Sequence, residues 1–142
     1  MNAQALARLV NYWQTLTPES VKAIATIYSE DAYFRDPFNE VNGLPAIRHI
    51  FMDMFVRLLE PRFTIVETIA EGDSVTLIWD FDFRIRNFQS DRPRRIHGLS
   101  HIRFAPDGRV NYHRDYWDAA GELYETFPLI GAVLRWLKRR AA

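Results

Sequence analysis

A chain of 142 residues is the size of one domain and buries roughly 70% of its unfolded surface, so it needs no covalent or metal staples. Its 18 basic and 18 acidic side chains cancel, which argues against nucleic acid as a partner, and the absence of cysteine excludes disulfides, thiol chemistry and Cys-ligated zinc. Apolar residues make up 48% and aromatics 14%, a share that implies either a thick core or an apolar cavity.

The N-terminal MNAQALARLV is too polar for a secretory signal, and no run approaches the ~18 apolar residues of a membrane span, so a cytoplasmic protein is the expectation. Leu6, Leu9, Val10, Trp13 and Leu16 form the apolar stripe of a first helix from about Ala3 to Leu16, with Tyr12 at its edge. Thr17 and Pro18 then read as the cap and first position of a second helix, whose inner face is Ala23, Ile24, Ile27 and Tyr28. A short strand, Ala32-Tyr33-Phe34, runs into Asp36-Pro37 and a turn-prone segment. The most regular helix starts at Leu44-Pro45, carries Ile47, Ile50, Phe51, Met54, Phe55, Leu58 and Leu59, and is ended by Pro61.

From Phe63 the period changes to two. Phe63 to Ile69 is a strand, Glu71-Gly72-Asp73 turns it, and Val75 to Ile85 is a long strand. One face of that strand is apolar, with Trp79 and Phe81, while Asp80 and Asp82 point the other way toward cross-strand arginines. After a charged loop come strands Ile96 to Phe104 and Val110 to Asp118, joined by the Pro106-Asp107-Gly108 hairpin turn. A short helix begins near Ala119, and residues 128–142 hold a final amphipathic helix. The order predicts one α+β domain over residues 1–142. N-terminal helices cover a curved mixed or antiparallel sheet, in a cone that encloses an apolar pocket.

Ser29-Glu30-Asp31-Ala32 ahead of a strand ending Arg35-Asp36-Pro37, in this element order, resembles the nuclear transport factor 2-like superfamily over about Leu6 to Asp118. The nearest branches in pattern are the ketosteroid-isomerase-like and SnoaL-like ones. The isomerase resemblance implies that Asp36 is a general base and Tyr12 an oxyanion donor, with Ser100 standing where the family has a second, carboxylic-acid donor. The resemblance to limonene epoxide hydrolases places that family's catalytic aspartate on Asp115, within His113-Arg114-Asp115-Tyr116-Trp117-Asp118. The remaining positions of that pattern fall on Phe34, Asp36, Trp79 and Phe81, which makes epoxide hydrolysis an unsuitable reading.

Strand alternation then groups an inward face. It comprises Phe34, Asp36, Phe55, Trp79, Phe81, Ser100, Ile102, His113, Asp115 and Trp117, joined by Tyr12 from the first helix: aromatic walls with a few polar groups. Each polar residue has a plainer role open to it. Asp36 can cap its own turn, Asp115 can pair with Arg35 or Arg84, Tyr12 can be an edge residue, and His113 can be a wall histidine. No metal or cofactor is expected. The expected function is acid–base catalysis of isomerase or cyclase type, beside a carbonyl of an apolar substrate. The alternative is a carrier of a hydrophobic or lipid-like ligand. A homodimer through the outer sheet face is the expected assembly. The last helix, with Leu129, Ile130, Val133, Leu134, Trp136 and Leu137 against Arg135, Lys138, Arg139 and Arg140, suits either docking or an anionic membrane surface.

Overall fold

The computed structural model describes residues 3–142. Helix α1 (Ala3–Gln14) buries Ala5, Leu9, Tyr12 and Trp13, so the stripe read from the sequence takes in both aromatics. Helix α2 (Pro18–Lys22) is capped reciprocally. The Thr17 side chain accepts from the Ser20 backbone N–H at 3.1 Å, and Ser20 Oγ accepts from the Thr17 N–H at 2.9 Å. The second helix ends sooner than its apolar pattern implies. A 3-10 turn over Ile24–Thr26 follows, and Tyr28 already opens strand β1 (Tyr28–Arg35).

The turn after β1 leads into a short strand β2 (Glu40–Asn42) and helix α3 (Leu44–Arg57). Strand β3 (Leu58–Glu71) starts without a linker, so Leu58 and Leu59 belong to the sheet rather than to α3, and Pro61 lies inside the strand. The backbone absorbs this through Glu60, at φ 51°, and a register shift between Leu59 and Arg62 on an edge strand, where a proline removes no needed donor. Strands β4 (Ser74–Ile85), β5 (Arg94–Phe104) and β6 (Val110–Tyr116) follow as an antiparallel meander. The six strands form one sheet in the order β2-β1-β6-β5-β4-β3, with β1 and β6 parallel. Helices α4 (Ala119–Glu122) and α5 (Pro128–Ala141) close the chain around a 3-10 turn at Tyr124–Thr126.

Burial alternates without a break along β4. Val75, Leu77, Trp79, Phe81 and Phe83 are buried, and the residues between them are not. Asp82 meets Arg95 at 2.8 Å and Asp80 meets His97 at 2.8 Å on the outer face, as the strand period requires. The inner face packs on α1 and α3 through edge-on aromatic contacts centred on Trp13, whose ring lies 4.9 Å from Phe51 and 5.4 Å from Phe63. The aromatic share of the sequence is therefore spent mainly on packing.

Candidate active site

Strand register sets the site. Ser100 on β5 faces Asp115 on β6, Ile102 faces His113, and Leu77 on β4 faces Ser100. Ser100, His113 and Asp115 thus share the inner face, as the alternation of β6 predicts, with His113 buried and Asp115 nearly so. One backbone position is demanding. Trp79 pairs with Gly98, and a Cβ on Gly98 would stand 2.7 Å from the Trp79 ring and 2.8 Å from Trp117 Cβ. Only glycine leaves room there for the indole to lie across the strand.

These residues form one hydrogen-bond chain. Trp13 Nε1 donates to the Tyr28 hydroxyl at 3.1 Å, and that hydroxyl lies 2.6 Å from His113 Nδ1. His113 Nε2 is 2.6 Å from Asp115 Oδ1, and Ser100 Oγ donates to the same oxygen at 2.5 Å. Trp79 Nε1 donates to Ser100 Oγ at 2.9 Å. We assign the direction of the chain from its donors and acceptors. Tyr28 accepts from Trp13 and directs its single proton to His113 Nδ1. In this assignment the imidazole carries its proton on Nε2, directed at Asp115. Burial pushes the Tyr28 hydroxyl well above its ordinary value, partly offset by the Trp13 hydrogen bond, so the proton this chain needs stays in place. Ser100 Oγ and His113 Nε2 converge on one carboxylate oxygen, backed by Trp79 and by the Trp13–Tyr28 pair. Among the described residues, no side chain or backbone donor meets the other oxygen, Oδ2.

Asp115 borders two spaces. Inward lies a cavity walled by Trp13, Phe51, Phe63, Trp79 and His113, of about 10 Å³. That is room for about one water. Outward lies an open cleft of about 540 Å³ lined by Arg35, Asp36, Pro37, Arg114, Tyr116 and Trp117.

The other expected site residues take different places. Asp36 closes its own turn. Its Oδ1 accepts from the Phe38 and Asn39 N–H groups, each at 2.7 Å, and from Asn39 Nδ2 at 3.1 Å. It lines the outer cleft with Asp115 and does not enter the inner cavity. Tyr12 points away from both spaces. Its hydroxyl donates to the Ser20 carbonyl at 2.8 Å, and burial pushes it up to about 12. Trp79, Ser100 and His113 line the cavity with Asp115, and Trp117 lines the cleft. Phe34 packs its ring 4.9 Å from His113, while Phe81 stacks on Phe63 and Phe83, and Ile102 and Phe55 belong to the core. The sequence reading missed Trp13, Phe51, Phe63 and above all Tyr28. Trp13 and Phe51 sat in helical stripes that read as core. Tyr28 was assigned to a helix face, and only a strand starting at residue 28 carries it to His113.

A family model for SnoaL-like domains matches residues 9–113. No curated protein sequence matches the chain. Solved structures of similar fold include a ketosteroid-isomerase-like protein from Catenulispora acidiphila bound to trimethylamine. It has 15% identity and a TM-score of 0.71, over 87% of this chain and 92% of that one. A candidate SnoaL-like polyketide cyclase from Shewanella putrefaciens has 22% identity and a TM-score of 0.68, over 83% and 92%. A limonene-epoxide-hydrolase-like enzyme from M. tuberculosis has 16% identity and a TM-score of 0.67, over 95% and 90%. At these identities the likeness is one of fold. With the family model spanning most of the chain and the curved sheet built as described, this protein belongs to the SnoaL-like domain family of the nuclear transport factor 2-like superfamily.

Proposed function

We propose that the protein is a cofactor-independent acid–base enzyme that moves a proton beside a carbonyl of an apolar substrate, with Asp115 as the acid–base group. The observation that carries this reading is the asymmetry of the Asp115 carboxylate. Oδ1 meets the Ser100 hydroxyl and His113 Nε2, Oδ2 meets no donor among the described residues, and Asp115 lines both the inner cavity and an open cleft. Two donors on one oxygen fix the carboxylate's direction and stabilise its charge, while the free oxygen can take a proton and return it. Tyr28 holds His113 in the tautomer that donates, which makes it a positioning residue rather than a catalytic one. Arg35 and Arg114 stand on the same cleft wall. Enolate charge on a substrate carbonyl bound in this cleft would be met by a cation. This arrangement supports isomerisation or ring closure.

Proton exchange tests the chemistry without the natural substrate. A panel of cyclic ketones and enones is incubated in D₂O with the protein, and deuterium uptake at the carbon beside the carbonyl is followed by NMR. The expected result is accelerated exchange for at least one compound, reduced roughly 100-fold or more in Asp115→Asn. Ligand line-broadening without exchange, or exchange unchanged in Asp115→Asn, would reject catalysis by Asp115 and leave a binding role.

A further inference from the structure

Helix α5 is built inside out. At about 100° per residue, Trp136, Leu129, Val133, Leu137 and Ile130 fall within an arc of about 120°. In a helix packed on its own domain that arc would face the core. Here all five are between 48% and 79% exposed. The opposite side faces the protein. Gly131 is buried against the Glu125 backbone, so closely that a Cβ would collide with the Glu125 carbonyl. Arg135 donates to that carbonyl at 3.0 Å and Lys138 pairs with the Glu125 carboxylate at 3.1 Å. The polar seam is thus turned inward and fastened, and the apolar face is turned out.

We propose that α5 lays this face on an anionic lipid surface. Charge and size select that occupant over a second copy of the chain. Residues 128–142 carry no acid, and with Arg135 and Lys138 fastened to Glu125, Arg139 and Arg140 are the cations left beside the apolar face. Two such helices packed face to face would set these cations against each other, whereas anionic headgroups meet them with opposite charge. The helix has 14 residues, so the face is about 21 Å long and about 10 Å wide. A stable dimer needs roughly 800 Å² buried on each partner, far more than this strip offers. An interfacial helix needs only such a strip, with basic side chains at its margin. Arg140 lies over the Trp136 ring at 5.4 Å, an aromatic–cation pair suited to the headgroup layer. Among the described residues no helix is long and apolar enough to cross a membrane, so the contact would be peripheral. The inference is independent of the chemistry at Asp115.

The test is co-sedimentation of the full chain with vesicles of phosphatidylglycerol and phosphatidylcholine, against phosphatidylcholine alone. Binding is expected only to the anionic vesicles and should fall as salt rises. Each basic residue neutralised should lower partitioning about 5-fold, so the Arg139→Gln, Arg140→Gln pair should lower it about 25-fold. Val133→Asp should abolish binding and leave the circular dichroism spectrum unchanged, because its side chain is exposed. Ile69→Asp, on the equally exposed end of β3, should leave binding intact. Failure to pellet with anionic vesicles overturns the proposal, and so does equal binding to both vesicle types or loss of binding in Ile69→Asp. A stable dimer that Val133→Asp dissociates would overturn it in favour of a second copy.

Discussion

Replacing Tyr28 with Phe removes one oxygen from the hydrogen-bond chain and little else. The ring stays, so its packing against Trp13 and its stacking on His113 are kept. Two buried groups lose their partner: Trp13 Nε1, which donated at 3.1 Å, and His113 Nδ1, which accepted at 2.6 Å. Each orphaned buried group costs ~1–3 kcal/mol, and with partial relaxation the variant should lose about 3 kcal/mol. For a chain of this length each kcal/mol moves Tm by about 4 °C, so the midpoint should fall by about 12 °C. Tyr33→Phe is the control, because its hydroxyl bonds Glu40 at an exposed site and should matter by less than about 0.5 kcal/mol. Urea unfolding measures the difference. Imidazole ¹⁵N NMR reads the second consequence: His113 should be protonated on Nε2 in the wild type and should lose that single tautomer in Tyr28→Phe. A stability change as small as that of Tyr33→Phe, or a wild-type His113 protonated on Nδ1, would refute the direction assigned to the chain.

Gly98→Ala should cost about 1–3 kcal/mol by urea unfolding, since the new Cβ must push the Trp79 ring off Ser100, and the near-UV circular dichroism should change with it. Asp36→Ala should cost about 1–2 kcal/mol by loosening the turn, while Asp36→Asn, which keeps an acceptor for the Phe38 and Asn39 N–H groups, should retain most of that stability in the same assay. In alkali, Tyr12 holds its proton up to about 12 in the fold, whereas in the unfolded chain it titrates near 10.0. Between those values the unfolded state binds fewer protons, so stability must fall as pH rises through that window. Urea midpoints at pH 9 and pH 11 should therefore differ, and the difference should shrink in Tyr12→Phe.

Strand patterning made much of the site legible. A period of two on β4, β5 and β6 placed Trp79, Ser100, His113 and Asp115 on one face, because a side chain's face follows from its position in the strand alone. Helical patterning was less informative, since neighbouring residues on a buried helix compete for the same direction. Tyr12 and Trp13 are both buried, and nothing in the stripe says which ring meets the site. Boundaries decided the rest. Tyr28 looks helical because it follows Ile24 and Ile27 at the right interval, yet a 3-10 turn ends the helix and turns the same residue into the first rung of a strand. Pro61 read as a helix stop, whereas the stop comes four residues earlier, at Arg57, and an edge strand tolerates the proline.

The resemblance that put two aspartates in one site has a physical counterpart in the sheet. Strands β1 and β6 run parallel, with Phe34 beside His113 and Arg35 beside Arg114, so both strands finish at the same end of the sheet. Neither can turn back directly onto the other there, and their exits diverge. Asp36 and Asp115 therefore come to line one cleft although 79 residues separate them. Their environments then differ in kind. Asp36 spends its oxygens on N–H groups of its own turn, which rigidifies the cleft wall. Asp115 is held at Oδ1 by Ser100 from β5 and by His113 two residues back on its own strand, and its Oδ2 meets no donor among the described residues. Under the proposed function, the carboxylate that shapes the cleft and the one that acts in it are thus distinguished by where their donors come from, and Tyr28 secures the second arrangement through His113.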